Sequence, residues 1–173
     1  AAAAVVLAGS RGKFSRAAVI MTANPMENPM PQYEVRINET VNAPREKVFA
    51  FFADHEKFAT LFGAGCRVVK KSSDPDQPNG LGSVRRMGPG PLSFDETIVG
   101  FEAPKSIQYS ISRGSPLKNH IGIIDFSSRG PNTRVEYVIR FDSRIPFAGK
   151  LIAKALTAAW KRSAPKILAR LGD

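Results

Sequence analysis

The C-terminal segment from Pro146 to Leu171 has the residue pattern of one long amphipathic helix. Proline suits the first turn of a helix, where its missing N–H costs no hydrogen bond. A second proline, Pro165, predicts a kink near the end. So broad an apolar face needs a surface to cover, and the helix either completes an ordinary core or also roofs a ligand cavity. That face recurs at helical spacing opposite a row of lysines and consists of Ile152, Ala155, Leu156, Ala159, Trp160 and Ser163.

Seven shorter segments upstream are predicted as strands. All but the second (Cys66 to Lys71) and the third (Ser83 to Met87) alternate apolar and polar residues with the period of two that is typical of half-buried strands. The first covers Tyr33 to Val41, and six more follow between Cys66 and Asp142. Their connections are rich in glycine, proline and asparagine, which predicts hairpins and therefore an antiparallel sheet. Glu39 interrupts the apolar side of the first strand, so it lies either at the rim or beside a polar group inside.

Two short helices are predicted directly after the first strand. The run Ala43-Pro44-Arg45-Glu46 opens one of them, with proline at its first position and an acid in its first turn. Asp54 can cap the other, which runs from His55 to about Phe62 before a pair of glycines. We expect His55 to lie at the protein surface. The resulting order of one strand, two small helices, six strands and a long helix is an α+β arrangement.

Charge and cysteine content limit the classes of partner. The formal net charge is +10 at pH 7, which favours acidic ligands, lipid headgroups or nucleic acid. The basic residues are scattered, however, so an ordinary basic surface is favoured over a nucleic-acid interface. Cys66 is the single cysteine, and without a Cys/His cluster we expect neither a disulfide nor a metal site. Phosphate-binding glycine loops are also missing, so no cofactor is indicated.

Residues 1–32 are expected to form a disordered or non-native tail, and we assign the folded domain to residues 33–173. Ala1 to Ala8 is apolar but too short to span a bilayer, and we expect no transmembrane segment. The tail is weakly similar to a transit peptide, and the alternative is upstream sequence translated before a start at Met21, Met26 or Met30. We expect a cytoplasmic protein.

Several stretches resemble the polyketide cyclase/dehydrase and lipid-transport superfamily, the START-related helix-grip proteins of the SRPBCC type. Val41-Asn42-Ala43-Pro44-Arg45-Glu46-Lys47-Val48-Phe49 is similar to the family's passage from first strand to first helix. Glu96-Thr97-Ile98 and Glu102 to Tyr109 resemble its central hairpin, and Thr133-Arg134-Val135 follows a glycine turn as is usual there. The resemblance covers about residues 33–171. It implies a curved antiparallel sheet of about seven strands that grips the last helix around a cavity for small hydrophobic or amphipathic molecules. Relatives include carriers, sensors, cyclases and inert binders, so the fold alone does not choose an activity.

Side chains on the inner side of the strands would line such a cavity, and others would close it. The alternative is that they fill a solid core with their hydroxyl groups satisfied internally. The strands would contribute Phe94, Glu96, Ile98, Tyr109, Ile111, His120, Ile124, Tyr137, Ile139 and Phe141, and the closing residues would be Phe58, Phe62, Leu156 and Trp160.

Glu96 is the most informative of these positions, because a carboxylate on the apolar side of a central strand is costly unless it is paired. Its natural partner is Arg85 or Arg86, and the pair is either structural or an acid that orients a ligand. In a cyclisation or dehydration, His120 could act as general base and Tyr109 or Tyr137 as proton donor, with Glu96 as a further catalytic group.

The leading functional hypothesis is binding of a small hydrophobic or amphipathic ligand, and the net charge leaves open an anionic one. The first alternative is a cofactor-independent cyclase or dehydratase that acts on a polyketide-like or aromatic substrate. The second is a basic module that docks on a membrane or on RNA. We favour a binding protein over an enzyme and disfavour nucleic acid as the partner. The sequence does not indicate an oligomeric state.

Overall fold

The structure is a computed structural model, and it describes residues 31–172. Expectations for residues 1–30 lie outside the described residues. One turn of 3-10 helix covers Gly90–Leu92. The elements in chain order are β1 (Tyr33–Val41), α1 (Arg45–Ala53), α2 (His55–Thr60), β2 (Cys66–Lys70), β3 (Val84–Met87), β4 (Phe94–Glu102), β5 (Ser106–Arg113), β6 (Leu117–Arg129), β7 (Asn132–Ser143) and α3 (Ala148–Ala169).

The seven strands form one curved antiparallel sheet in the order β1-β7-β6-β5-β4-β3-β2. Strands β2 to β7 pair with their sequence neighbours, and β1 pairs with β7 along its whole length. The first strand therefore joins the sheet beside the last one, after the chain has passed through the two short helices. This arrangement confirms the predicted α+β helix-grip fold class.

The part of the inner sheet surface that lies under α1 is filled by aromatic rings. Phe52 and Phe49 contact Phe126 edge to face, with ring centroids 5.2 Å and 5.4 Å apart. Such edge-to-face contacts are favourable because the positive edge of one ring meets the negative face of the other. Residues near the C-terminal end of β6 are therefore packed solid, and any empty space must lie towards its N-terminal end.

Helix α3 begins two residues later than the sequence predicts. Phe147 has a left-handed backbone with φ 64°, so the helical run cannot include it or Pro146. The helix continues through Pro165 to Ala169, so this proline does not end it, and the kink stays a prediction. Among residues 31–172, none of the helices is both long enough and apolar enough to cross a membrane.

Two contacts fix α3 against β1. A Cβ atom at Gly149 would lie 2.1 Å from the ring of Tyr33, so only glycine lets the helix approach this closely. Further along, the indole N–H of Trp160 donates to Glu39 Oε1 at 2.8 Å. This hydrogen bond explains the acid on the apolar side of β1: Glu39 lies beside a polar group of α3.

Helix α2 differs in part from its prediction. The Asp54 carboxylate caps it as expected, accepting from the backbone N–H groups of Glu56 and Lys57 at 3.1 Å each. The surface position expected for His55 is wrong: this residue is 1% exposed, and its Nε2 lies 2.9 Å from Ser83 Oγ. A helix of six residues carries too little periodicity to show which residues face inward, and the buried hydroxyl partner lies 28 residues away.

Candidate functional site

A hollow of about 510 Å³ lies between the inner surface of the sheet and α3, towards the N-terminal end of β6. Among its lining residues, Gly88, Gly114, Pro116 and Ala155 are exposed to solvent. The hollow therefore opens between the β3–β4 connection, the β5–β6 turn and α3. A second, more open depression of about 810 Å³ shares Ala64 and Gly88 with it. Four buried polar side chains line the hollow and not this depression: Glu96, Tyr109, His120 and Tyr137.

Most of the residues predicted to form the cavity wall do line this hollow, whereas four others lie in the solid core. Ile98, Ile124, Phe141 and Trp160 do not line the hollow, and each is at most 2% exposed. Alternation along a strand indicates which face of the sheet a side chain occupies, but not which part of that face a helix covers. Whether the others bind a ligand stays a prediction. They are Phe58, Phe62, Phe94, Glu96, Tyr109, Ile111, His120, Tyr137, Ile139 and Leu156.

Sequence reasoning missed the loop residues of the wall, because connections between strands carry no periodic signal. Met87 is on β3 and shares the inner side with Arg85 two residues earlier, but the sequence left open which of Arg85 and Arg86 faces inward. The other missed residues are Ala64, Gly88, Gly114, Ser115 and Pro116 in loops and Leu117 at the start of β6. Ile152, Ala155 and Ala159 belong to the apolar helix face noted in the sequence.

A buried ion pair joins β3 to β4 beside the site, where Glu96 lines the hollow and Arg85 does not. Arg85 and Glu96 are direct cross-strand partners, and Arg85 Nε donates to Glu96 Oε2 at 2.7 Å. The two side chains are 2% and 8% exposed. Arg85 is therefore the inward-facing arginine, a question that the sequence left open. Arg86 faces the other side of the sheet and, with Arg113, holds the carboxylate of Asp95 at 2.6 Å and 2.7 Å.

The guanidinium of Arg85 is also stacked between aromatic rings, with its central carbon 4.0 Å from the Phe58 centroid and 4.6 Å from that of Tyr109. Burial lowers the pKa of Arg85, but the neighbouring Glu96 carboxylate contributes to a net rise above the ordinary value. The arginine is therefore charged at any physiological pH. Its Nη2 atom has no hydrogen-bond partner among the described residues.

Two tyrosine hydroxyls meet above this ion pair. The hydroxyl groups of Tyr109 and Tyr137 are hydrogen-bonded to each other, and both side chains are buried. Burial raises the pKa of both tyrosines, so both hydroxyls keep their protons at neutral pH. The ring of Tyr109 lies directly over Gly122, where an added Cβ would come within 2.2 Å of it. The glycine on β6 thereby allows the ring to lie flat against the sheet.

His120 enters the site through an irregularity in β6. The pairing of β6 with β7 shifts between Lys118 and Ile121, and Asn119 has a left-handed φ of 49°. The side-chain amide of Asn119 donates to Asp142 Oδ2 at 2.7 Å, which fixes this bulge on β7.

The His120 ring lies beside that of Tyr109, with centroids 5.5 Å apart, and it is 8% exposed. Burial, followed by the positive charge of Arg85, lowers the pKa of His120 to about 4. The imidazole is therefore neutral at pH 7, and its Nδ1 atom has no hydrogen-bond partner among the described residues.

These groups make a polar patch with no net charge in an otherwise apolar hollow. The arginine and the glutamate compensate each other, while the histidine and the tyrosines are neutral. Such a wall can hold an apolar molecule that carries a neutral hydrogen-bonding group. His120 would be a weak general base, because its pKa lies far below neutrality. Across residues 31–172, His, Cys, Asp and Glu side chains form no group of three or more that could bind a metal ion.

A curved antiparallel sheet closed over a C-terminal helix, with a hollow between the two, defines the helix-grip class of domains. Within that class, residues 32–173 match the model of the family described as polyketide cyclase / dehydrase and lipid transport. The chain belongs to this family, which confirms the resemblance seen in the sequence.

Solved structures of low sequence identity have the same fold. A START superfamily protein from Mycobacterium smegmatis is 15% identical with a TM-score of 0.61, over 78% of this chain and 93% of that one. A protein from Thermobifida fusca is 16% identical with a TM-score of 0.63, over 80% and 93%. One from Chromobacterium violaceum is 16% identical with a TM-score of 0.60, over 81% and 97%. At these identities the likeness shows the fold alone. No curated protein sequence matches the chain.

Proposed function

We propose that this domain binds a small, mainly apolar molecule with one neutral polar group in the hollow between the sheet and α3. The observation that carries the proposal is the hollow itself. Its volume of about 510 Å³ falls within the roughly 300–1,000 Å³ that is usual for small-molecule sites. Apolar side chains such as Phe62, Ile111 and Leu156 supply most of the wall, as expected of a site that holds hydrocarbon.

The polar patch favours a neutral ligand group over an anionic one. Arg85 is the positive charge nearest the hollow that is buried, and Glu96 already neutralises it at 2.7 Å. A second carboxylate brought beside Glu96 would be repelled and would lose its hydration. In contrast, a ligand hydroxyl or carbonyl can pair with the tyrosine hydroxyls or with the neutral ring of His120. The excess positive charge of the chain therefore does not argue for an acidic ligand.

The same geometry gives less support to catalysis. Glu96 is engaged by Arg85, and the pKa of about 4 makes His120 a poor base at neutral pH. The cyclase or dehydratase alternative stays a prediction, as does the cytoplasmic location. Binding without chemical change is the function that the arrangement of Arg85, Glu96 and His120 supports best.

Native mass spectrometry tests the proposal with a pair of helix variants. Ala159 lines the hollow, whereas the neighbouring Ala158 is exposed on α3 and does not. We expect the full chain and the Ala158→Trp control to form a one-to-one complex with dodecanol. Ala159→Trp should lose this complex while keeping its melting temperature, because the indole fills the hollow. An equal complex in Ala159→Trp would contradict binding at this place.

A further inference from the structure

The outer side of α3 and the turn before it carry a surface that ligand binding does not explain. Three large apolar side chains project from this region: Ile145 is 52% exposed, Phe147 94% and Leu151 70%. Phe147 directly precedes α3, and Leu151 lies in the first turn of the helix. We call these three residues the apolar tip.

The backbone at Phe147 is strained, with φ 64° and ψ −12°. This left-handed conformation is unfavourable for a bulky residue, in which Cβ crowds the following carbonyl. The side chain is almost wholly exposed, so contacts within the described domain do little to offset that strain. A large aromatic side chain held outward at a cost to folding indicates a role outside the fold.

The charged residues of α3 and of the turn before it all have one sign. Between Ser143 and Gly172 the sequence has no aspartate or glutamate. Lys150, Lys154 and Lys161 are exposed along one flank of α3, roughly a quarter turn around the helix from the buried Trp160. The basic residues of this segment are Arg144, Lys150, Lys154, Lys161, Arg162, Lys166 and Arg170.

We propose that the apolar tip and the basic side of α3 form a docking surface for a membrane that contains anionic lipids. Exposed apolar side chains can enter the boundary between headgroups and acyl chains, and flanking lysines then meet the anionic headgroups. In that arrangement the apolar tip enters the boundary of the acyl chains. The basic residues lie in the negative potential of the headgroups.

Other occupants fit less well. A second copy of the chain would bring two basic surfaces together, and like charges across an interface are unfavourable. The N-terminal residues 1–30 carry Arg11, Lys13 and Arg16 against Glu27, so they are basic as well. Nucleic acid would be attracted by the lysines alone and would leave the apolar tip without a partner.

The docking surface adjoins the opening of the hollow. The backbone N–H of Arg144 donates to the carbonyl of Pro116 at 2.8 Å, and Pro116 lines the hollow. Leu151 of the apolar tip is followed by Ile152, another lining residue. A bilayer bound here would therefore lie next to the entrance. The docking proposal does not depend on which ligand the hollow holds.

Vesicle flotation of the full chain tests the proposal. One set of vesicles consists of phosphatidylcholine, and the other of equal parts phosphatidylcholine and phosphatidylserine. We expect partition onto the anionic vesicles and little onto the neutral ones. Added salt should weaken the binding, because it screens the attraction between lysines and headgroups.

Variants separate the apolar and the basic contributions. The double variant Phe147→Asn with Leu151→Ser should lower partition by roughly tenfold or more. Its melting temperature should not fall, since asparagine tolerates the left-handed conformation. Each of Lys150→Gln and Lys154→Gln should lower partition about fivefold.

Matched controls come from the connection between β2 and β3, where Leu81 is 59% exposed and Lys71 is also exposed. Strand β3 lies four places from β7 in the sheet, about 19 Å away. Leu81→Ser and Lys71→Gln should leave partition unchanged.

Three results would overturn the proposal. One is equal binding to neutral and anionic vesicles. Another is full binding by the Phe147→Asn/Leu151→Ser variant. The apolar tip would then contribute nothing, and only the attraction between basic residues and negative charge would remain, which nucleic acid would satisfy equally well. The last is a dimer in solution that the same variant converts to a monomer, which would assign the apolar tip to a second copy.

Discussion

The buried ion pair of Arg85 and Glu96 makes the most direct prediction for a single residue. Glu96→Gln would leave the arginine charged inside the domain without its counter-ion. Such a change costs about 3 kcal/mol or more of unfolding free energy. We expect a loss of this size in urea unfolding followed by circular dichroism.

The control for that experiment is the ion pair on the other side of the sheet. Arg113 contacts Asp95, but its side chain is 54% exposed and Arg86 holds the same carboxylate. Arg113→Gln should therefore cost less than about 1 kcal/mol. Equal losses for Glu96→Gln and Arg113→Gln would show that water reaches the inner pair.

Two buried histidines predict how stability depends on pH. Burial, followed by the charge of Arg85, lowers the pKa of both His55 and His120 to about 4, against an ordinary value of 6.5. Between these values the unfolded chain binds protons that the folded chain does not. The free energy of unfolding is therefore highest, as far as these two groups are concerned, above about pH 6.5, and it decreases as the pH falls towards 4.

The measurement is the free energy of unfolding at neutral pH and at steps down to about pH 4. His55→Gln and His120→Gln should each reduce the slope in this window, whatever their effect at neutral pH. Stability that is flat or rising on acidification would mean that neither histidine is held neutral by the fold.

At the scale of the elements, the contact between α3 and β1 depends on a single glycine. Alanine at position 149 would favour the helix by about 1 kcal/mol. Its Cβ would, however, lie 2.1 Å from the Tyr33 ring, and such overpacking costs about 1–3 kcal/mol. We expect Gly149→Ala to lower the unfolding free energy by about 1 kcal/mol.

Gly65 offers the matched comparison, because a Cβ added there would meet nothing within 4 Å. Gly65→Ala should leave stability unchanged or raise it slightly, since alanine restricts the unfolded chain. If Gly149→Ala were as stable as Gly65→Ala, α3 would not lie this close to β1 in solution.

The sequence predicted the elements because each has its own period. Alternation identified every strand except the short β2 and β3, and the parity of β6 correctly placed His120 and Ile124 on the inner face. The burial of a polar side chain was not predictable where it depends on partners from other parts of the chain. Asp95 is on the polar side of β4 yet is 6% exposed, because arginines from β3 and β5 cover it. His55 is buried against a hydroxyl from a distant loop.

The sequence predicted that a hollow could form between the sheet and the last helix. It did not predict which residues line that hollow. Its walls combine strand positions, which have a period, with loop positions such as Gly114 and Pro116, which have none. Where a helix covers the sheet and where it leaves a gap depends on three-dimensional packing. That is why Ile98 and Phe141 do not line the hollow, although they are on the inner face.

For the whole molecule, the neutrality of the polar patch predicts ligand preference. A long-chain alcohol and the carboxylic acid of the same chain length differ only in the charge of one end. We expect the alcohol to bind at least tenfold more tightly at neutral pH, because the acid would place a second carboxylate near Glu96. Isothermal titration calorimetry gives both affinities. A tighter acid would mean that Arg85 is available to the ligand despite its pairing.

The central claim is that the space between the sheet and α3 holds a ligand. The most direct measurement is X-ray diffraction from crystals grown with a long-chain alcohol that carries bromine at its far end. We predict a bromine anomalous peak inside the hollow, among Phe62, Ile111 and Leu156, with the hydroxyl group near Tyr137. A hollow that holds only water, with bromine bound elsewhere on the protein or not at all, would contradict it.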